Sequence, residues 1–323
     1  MSGAVSAGQP RPNVGQIIAE YGLLGALIAL MIVFAALNPR FLTLSNLGTL
    51  LEQNTPVLII SVGMTFAIIS RNIDLAPASI LALSGVITAL VFNATGSLVI
   101  GIAAGFAAAI AVEVFNAILI VRGGINPLIV TLACWIWARG LAVSLTGANS
   151  LPVRDPFLES LTRGVFSEFS PAIALAILAF IAGAYILNRT RLGRYTFAMG
   201  SDERATVQAG VPTGKYKLLM FAMFGVLIGL AMLVTVSRLG AAAPNAAYGL
   251  ELDAIVAVII GGNPFQGGEG NLRRTLIGAL FIAVLNNGLG NLGMLDAQIA
   301  VYKALAILLA LLFGRVSAGL ARR

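Results

Sequence analysis

The sequence contains no histidine and a single cysteine, Cys134, and only 10% of its 323 residues are charged. Each shortage excludes something. Without histidine there is no imidazole metal ligand and no side chain whose ordinary pKa suits general-base work near neutral pH. A lone cysteine cannot form an intramolecular disulfide framework. Soluble domains carry about 25% charged residues, so a tenth is too few to clothe a water-facing surface. No G-x-x-x-x-G-K-[ST] phosphate loop occurs, and Gly267, Gly268 and Gly270 make a flexible turn with no Lys-Ser/Thr behind it. The chain therefore has no usual means of using nucleotide itself. No paired-carboxylate motif or metal-ligand spacing stands out either, so no catalytic residues and no metal ligands are expected.

What is present is hydrocarbon: 59% of the residues are hydrophobic and the mean hydropathy is +0.95. Apolar runs follow one another, and nothing suggests the alternation of a barrel, so the fold class is all-α integral membrane. Ten spans are expected at about 18–37, 51–70, 76–93, 97–121, 127–146, 170–188, 215–237, 251–263, 274–291 and 297–314. The eighth is too short to cross as a simple helix, so some spans are broken. The polytopic region is thus 18–314, flanked by tails at 1–17 and 315–323. The first run follows a polar segment containing Arg11 and reads as an uncleaved span.

The net charge of +7 does not indicate nucleic-acid binding, because the cations lie in short segments beside spans, without aromatic interleaving. Counted along the ten-span topology, 14 of the 20 Lys and Arg fall on the side of the N-terminus, four on the other side, and Arg139 and Lys303 within spans. That bias puts both termini in the cytoplasm. Six of the cations lie in one loop, 189–217. Within it, Asp202 to Gly210 reads as a short amphipathic helix with acids at its start, where the helix dipole favours them, and a Gly at its end. It is either a docking surface or a solvated loop that fixes topology. The longest outer loop, 148–170, is mixed in sign and is expected to carry a short surface helix.

Ionisable groups inside spans are expensive and so are functional candidates. They are Glu113, Arg139, Asp253 and Lys303, with Asp74 and Glu251 opening apolar spans. Glu113 and Arg139 are opposite in sign and lie in adjacent spans, so a pair is expected, with a structural or a transport role. Lys303 is expected to snorkel toward the outer interface. Asn116, Asn286 and Asn287 interrupt apolar helices; amides suit a path for a hydroxylated solute, and they equally suit bonding between helices. Gly101–Gly105 and Gly225–Gly229 have the small-xxx-small spacing of close helix packing. An acid opening a span recurs before an Asn-bearing span (Asp74 with Asn116; Glu251 and Asp253 with Asn286), an echo that fits an inverted repeat.

Several segments, in order, carry a family resemblance: VGMTFAIISRNIDLAPASILALSG (62–85), NAILIVRGGINPLIVTLA (116–133), ARGLAVSLTG (138–147), TRLGRYTFAMGSDERATVQAGV (190–211), SRLGAAAPNAAYGLELDAIVAVIIGG (237–262) and TLIGALFIAVLNNGLGNLG (275–293). Together they resemble the permease subunits of monosaccharide ABC importers of the ribose type. The resemblance implies a type II-like importer permease in a bacterial inner membrane, working by alternating access as a homodimer or a heterodimer with a homologous permease. It implies a cytoplasmic ABC ATPase, which uses ATP and Mg, and a periplasmic sugar-binding protein, with no cofactor on this chain. It assigns ATPase coupling to the segment holding Gly200, Asp202, Glu203, Arg204, Ala205, Ala209 and Gly210. The sequence departs from the family pattern at Ser70, Arg71 and Asn72, where Thr-Gly-Gly is usual, at Ala76, Pro77 and Ala78, and at Cys134, Trp135 and Trp137. An ion-coupled carrier, with Glu113 or Asp253 as proton carrier, is the competing expectation.

Overall fold

The computed structural model describes residues 14–162, 169–295, 297–306 and 308, with side chains from residue 22 onward. The tails with Arg11, Arg315, Arg322 and Arg323, together with Arg163 and Glu168 of the outer loop, lie outside the described residues. The described chain is helical almost throughout: α1 (Val14–Leu37), α2 (Leu44–Ile69), α3 (Pro77–Thr95), α4 (Leu98–Val121), α5 (Pro127–Thr146), α6 (Pro156–Thr162), α7 (Pro171–Arg189), α8 (Arg191–Gln208), α9 (Thr213–Leu239), α10 (Leu250–Ile260) and α11 (Leu272–Asn291). A further helix runs over 297–306. A helix underlies each of the ten expected spans. Six of them (α2, α3, α4, α5, α7 and α9) are long and apolar enough to cross a membrane. With 11 residues α10 reaches only about 16 Å, roughly half of a hydrocarbon core.

Local chemistry sets the boundaries. α2 begins seven residues before its expected start because the Thr43 hydroxyl accepts the Asn46 N–H and caps it. α5 is bounded as expected: Asn126 caps its start ahead of Pro127, and Pro at the first helical position needs no N–H partner. The outer loop holds α6, as expected, started by Asp155 Oδ1 accepting the Phe157 N–H at 2.8 Å. Leu151–Pro152 pairs antiparallel with Ala241–Ala242, which ties that loop to the end of α9.

α2 is the centre of the bundle, with every residue from Asn54 to Ile69 buried. Its hydroxyls are satisfied within the helix, as where Ser61 donates to the Val57 carbonyl at 2.7 Å and Thr65 to that of Ser61 at 2.7 Å. The small-residue spacings mark real contacts. A Cβ at Gly101 or Gly105 of α4 would strike Thr88, Phe92 and the Ser84 carbonyl of α3, and one at Gly225 or Gly229 of α9 would strike Ile110 and Phe106 of α4. Glycine here lets backbones approach. Apolar side chains such as Val99, Ile129, Ile136, Leu178 and Ile181 face outward from α4, α5 and α7, the side chemistry a bilayer accepts.

Candidate functional site

α8 is two helices meeting at Asp202, whose φ of −155° and ψ of 106° break the helix. The break is a cap. Asp202 Oδ1 accepts the Ala205 N–H at 3.0 Å, and the short helix it starts closes at Gly210, whose φ is +81°. The short amphipathic helix read from the sequence is therefore present. The sequence reading missed the helix before it, Arg191 to Ser201, started by the Thr190 side chain accepting the Gly193 N–H. Arg204, Ala205, Val207, Gln208 and Ala209 are exposed and Thr206 is buried, so the segment shows one face outward. Glu203 is not a free acid: Lys217 Nζ at the start of α9 lies 2.7 Å from its carboxylate.

The inner edge of this segment is fastened to the core. A Cβ on Gly200 would collide with the Ile69 carbonyl at the end of α2, so only glycine permits this approach. The same carbonyl accepts the Gly268 N–H at 2.8 Å. The 70–76 connector between α2 and α3 joins the contact. Arg71 takes a left-handed φ of 60° and donates its Nε to the Gln266 carbonyl. Asn72 folds back onto the Ser70 carbonyl at 2.7 Å. A glycine-like backbone at residue 71 is thus kept although the residue is arginine. Arg71, Ile73, Asn126, Pro127, Leu128, Phe265 and Gln266 line an open cleft of about 460 Å³ at this end.

The intramembrane polar residues form separate clusters. Asp74 and Glu113, both 0% exposed, face each other within hydrogen-bond reach, with Asn116 beside Glu113. The expected Glu113–Arg139 pair is therefore corrected. Arg139 instead donates Nη1 to the carbonyls of Pro244 at 2.7 Å and Ala246 at 3.0 Å, and lies 5.8 Å from the Tyr248 ring centroid. Glu251 beside it accepts the Trp135 Nε1–H at 3.0 Å. This second cluster pins the segment before α10 onto α5. Trp135 and Tyr248 belong to it; the sequence marked Trp135 only as a departure from the family pattern and did not single out Tyr248, because nothing local names an indole or a ring as the partner of a distant charge.

Lys303 does not snorkel as expected: its Nζ lies 2.6 Å from Asp253 Oδ1, with side chains 20% and 15% exposed. Asn286 reaches the other oxygen of Asp253 at 3.5 Å. Asn287 belongs elsewhere, in an amide triangle where Asn46 Nδ2 donates to Asn287 Oδ1 at 3.0 Å and Asn291 Nδ2 to Asn46 Oδ1 at 2.9 Å. That is bonding between α2 and α11, one of the two roles open to it. A fifth knot, unforeseen, joins α2, α11 and the turn after α10: Thr65 and Thr275 hydroxyls lie 2.8 Å apart, and Asn263 Nδ2 donates to Thr275 at 3.0 Å.

A helical bundle with a capped, exposed segment at one end, buried polar knots and a broken span is the architecture of a membrane permease. Residues 46–314 match the family described as "Branched-chain amino acid transport system / permease component", and the chain belongs to it. It is similar to the ribose import permease protein RbsC of Escherichia coli K12, 36% identical over 295 residues, 89% of this chain and 91% of the relative. RbsC of Bacillus subtilis is 35% identical over 310 residues, 95% and 96% of the two chains. The L-arabinose transport system permease protein AraH of Escherichia coli K12 is 31% identical over 319 residues, 98% and 97%. No solved structure matches. A permease component is one part of a transport system, and neither the family nor these relatives support a carrier working alone.

Proposed function

We propose that this chain is the membrane-spanning subunit of an ATP-binding-cassette importer, moving a monosaccharide or related polyol by alternating access. The observation that carries the substrate class is the similarity to ribose and arabinose permeases along nearly their whole length. Ten of the described Lys and Arg (Arg71, Arg122, Arg189, Arg191, Arg194, Arg204, Lys215, Lys217, Arg273 and Arg274) lie at the α8 end, against Arg40, Arg154 and Arg238 at the α6 end. That bias supports a cytoplasmic α8 end, in a bacterial inner membrane. The helix that Asp202 starts is the seat of the ATPase. Its fastening through Gly200 to Ile69 and Gly268 passes ATPase movement to α2 and the turn before α11 as a rigid-body shift. The α6 end faces a periplasmic sugar-binding protein, and a second permease, a copy or a homologue, completes the pathway.

Affinity purification of the tagged chain from native membranes tests this. The expected outcome is recovery of a cassette ATPase and a soluble binding protein that binds monosaccharides. A binding protein that takes branched-chain amino acids instead would keep the importer and replace the substrate. Recovery of the chain alone from mildly solubilised membranes would overturn the importer itself.

A further inference from the structure

Three carboxyl oxygens are buried in the same place with nothing to bond to. Asp74 Oδ1 accepts the Ala76 N–H at 2.8 Å. Its Oδ2 and both oxygens of Glu113 meet no donor in hydrogen-bond geometry, although the two carboxyl groups lie within reach of each other. A carboxylate is an acceptor only. Two of them in contact therefore bring acceptor against acceptor, at residues 0% exposed, where unpaired charge costs several kcal/mol per group.

Among the described residues, none facing the pair is a cation. The groups facing the pair are the Asn116 amide on α4 and the Cys134 thiol on α5, both on residues 0% exposed; the Thr131 hydroxyl of α5 donates to the Ile73 and Leu128 carbonyls, each at 3.5 Å. The neighbouring positions on the same helices are small: Ala109 and Ala117 lie four residues either side of Glu113 on α4, and Ala138 four residues after Cys134 on α5, all fully buried. Asn116 offers one amide, and its Nδ2 also lacks a partner. What the geometry lacks is a single donor between two oxygens.

We propose that Asp74 and Glu113 bind one proton between them, held as a structural ligand in the folded permease at neutral pH. One O–H then donates across the pair, and a single negative charge remains in place of two. Glu113 lies nine residues before Arg122, about 13 Å inside that end of α4 at 1.5 Å per residue, so bulk water does not substitute. The proton has a consequence for the connector. Asp74 sits three residues beyond Arg71, which is tied to Gln266, and five beyond Ile69, which is packed on Gly200. The protonated pair fastens that connector to α4, and losing the proton pushes it away. The proton is held in place and is not cargo. This goes beyond the importer reading and stands if the substrate class is wrong.

Infrared spectroscopy of the full-length chain in lipid nanodiscs in D2O at neutral pD tests it. The expected spectrum carries the carbonyl stretch of an undissociated carboxylic acid, and Glu113→Gln removes it because the glutamine amide replaces the proton as donor. Asp74→Asn serves equally if the first variant does not fold. Absence of any such band from the wild type, or a band that survives in both variants, overturns the proposal. Thermal unfolding against pH is the second reading. Above the ordinary carboxyl range (about 4) the folded state binds one more proton than the unfolded chain, so stability falls as pH rises, by up to about tenfold in the unfolding constant per pH unit, until the pair ionises. Glu113→Gln lacks this slope, and parallel profiles for the two proteins would overturn the proton.

Discussion

Two carboxyl sites buried in this bundle are neutralised in opposite ways. Asp253 on α10 has a lysine: Lys303 Nζ is 2.6 Å away, delivered by a separate helix on an open flank of α10. Among the described side chains, Asp74 and Glu113 face each other, an amide and a thiol, and Asp74 also accepts the Ala76 N–H. The difference follows from packing. A long cationic side chain needs room beside a helix, and Lys303 with Asp253 has it. No cation among the described residues reaches Asp74 and Glu113, and the charge is balanced by a proton. Burial differs too: the Asp253 side chain is 15% exposed, whereas Asp74 and Glu113 are 0% exposed.

The largest expected effect separates the two sites by the same chemical change. Removing the charge of Asp253 by Asp253→Asn strands the Lys303 ammonium, and removing Lys303 by Lys303→Leu strands the carboxylate. Stranding one member of a buried pair costs about 3 kcal/mol or more. Each single substitution should lower the melting temperature of the purified protein markedly, and Asp253→Leu with Lys303→Leu should recover much of the loss. Glu113→Gln, by contrast, should stay within about 1 kcal/mol of wild type, since an amide supplies the donor. Equal losses for Asp253→Asn and Glu113→Gln would erase the distinction between cation and proton.

Gly200→Val comes next. The added Cβ meets the Ile69 carbonyl, and overpacking of this kind costs about 1–3 kcal/mol. The displaced end of α2 leads into the connector that carries Asp74. The loss should therefore be non-additive with Glu113→Gln and additive with Lys303→Leu, which shares no partner with it. Double-mutant cycles on melting temperature decide this, and additivity in both cycles would separate the connector from the acid pair.

A smaller effect is expected at Arg71. Its left-handed backbone strains any side chain by about 1–2 kcal/mol, while its guanidinium ties the connector to Gln266. Arg71→Gly relieves the strain and loses the tie, leaving stability within about 1 kcal/mol; Arg71→Ala loses the tie and keeps the strain. Alanine should be the less stable of the two in chemical denaturation. The reverse order would mean that the left-handed backbone at residue 71 carries no strain.

The helices were legible because hydropathy and caps are local. α5 was bounded correctly since Asn126 and Pro127 announce its start, and the Asp202–Gly210 helix could be read from its acids and closing glycine. The glycine spacings of α4 and α9 named real contacts because a small residue has meaning at a close approach in any partner. The side-chain partners were not legible. Opposite charge in adjacent spans suggested Glu113 with Arg139, yet which way each faces depends on helix rotation, set by packing across the whole bundle. Arg139 turns toward Pro244 and Ala246, more than 100 positions away in sequence. A like-charge pair such as Asp74 with Glu113 runs against the rule by which pairs are guessed, so charge alone could not have found it. The early start of α2 was hidden because Ser45, Asn46, Gly48 and Thr49 keep residues 44–50 from reading as an apolar run.

The smallest change in stability is expected where the sequence reading expected an interface. Glu203 is bound to Lys217, but it is half exposed, and exposed ion pairs contribute at most about 1 kcal/mol. Glu203→Ala should leave the melting temperature almost unchanged. Function separates two roles for the acid. If Glu203 serves to brace the Asp202 helix against α9, Glu203→Lys impairs substrate-stimulated ATPase activity and the charge swap with Lys217→Glu restores it. If its carboxylate meets the ATPase directly, the swap stays impaired, because the acid has moved to α9. The exposed row of Arg204, Ala205, Val207, Gln208 and Ala209 supplies contact area without Glu203, and its carboxylate already has a partner within this chain. We therefore expect rescue by the swap, with Val207→Asp, on the outward face, the variant that the swap cannot repair.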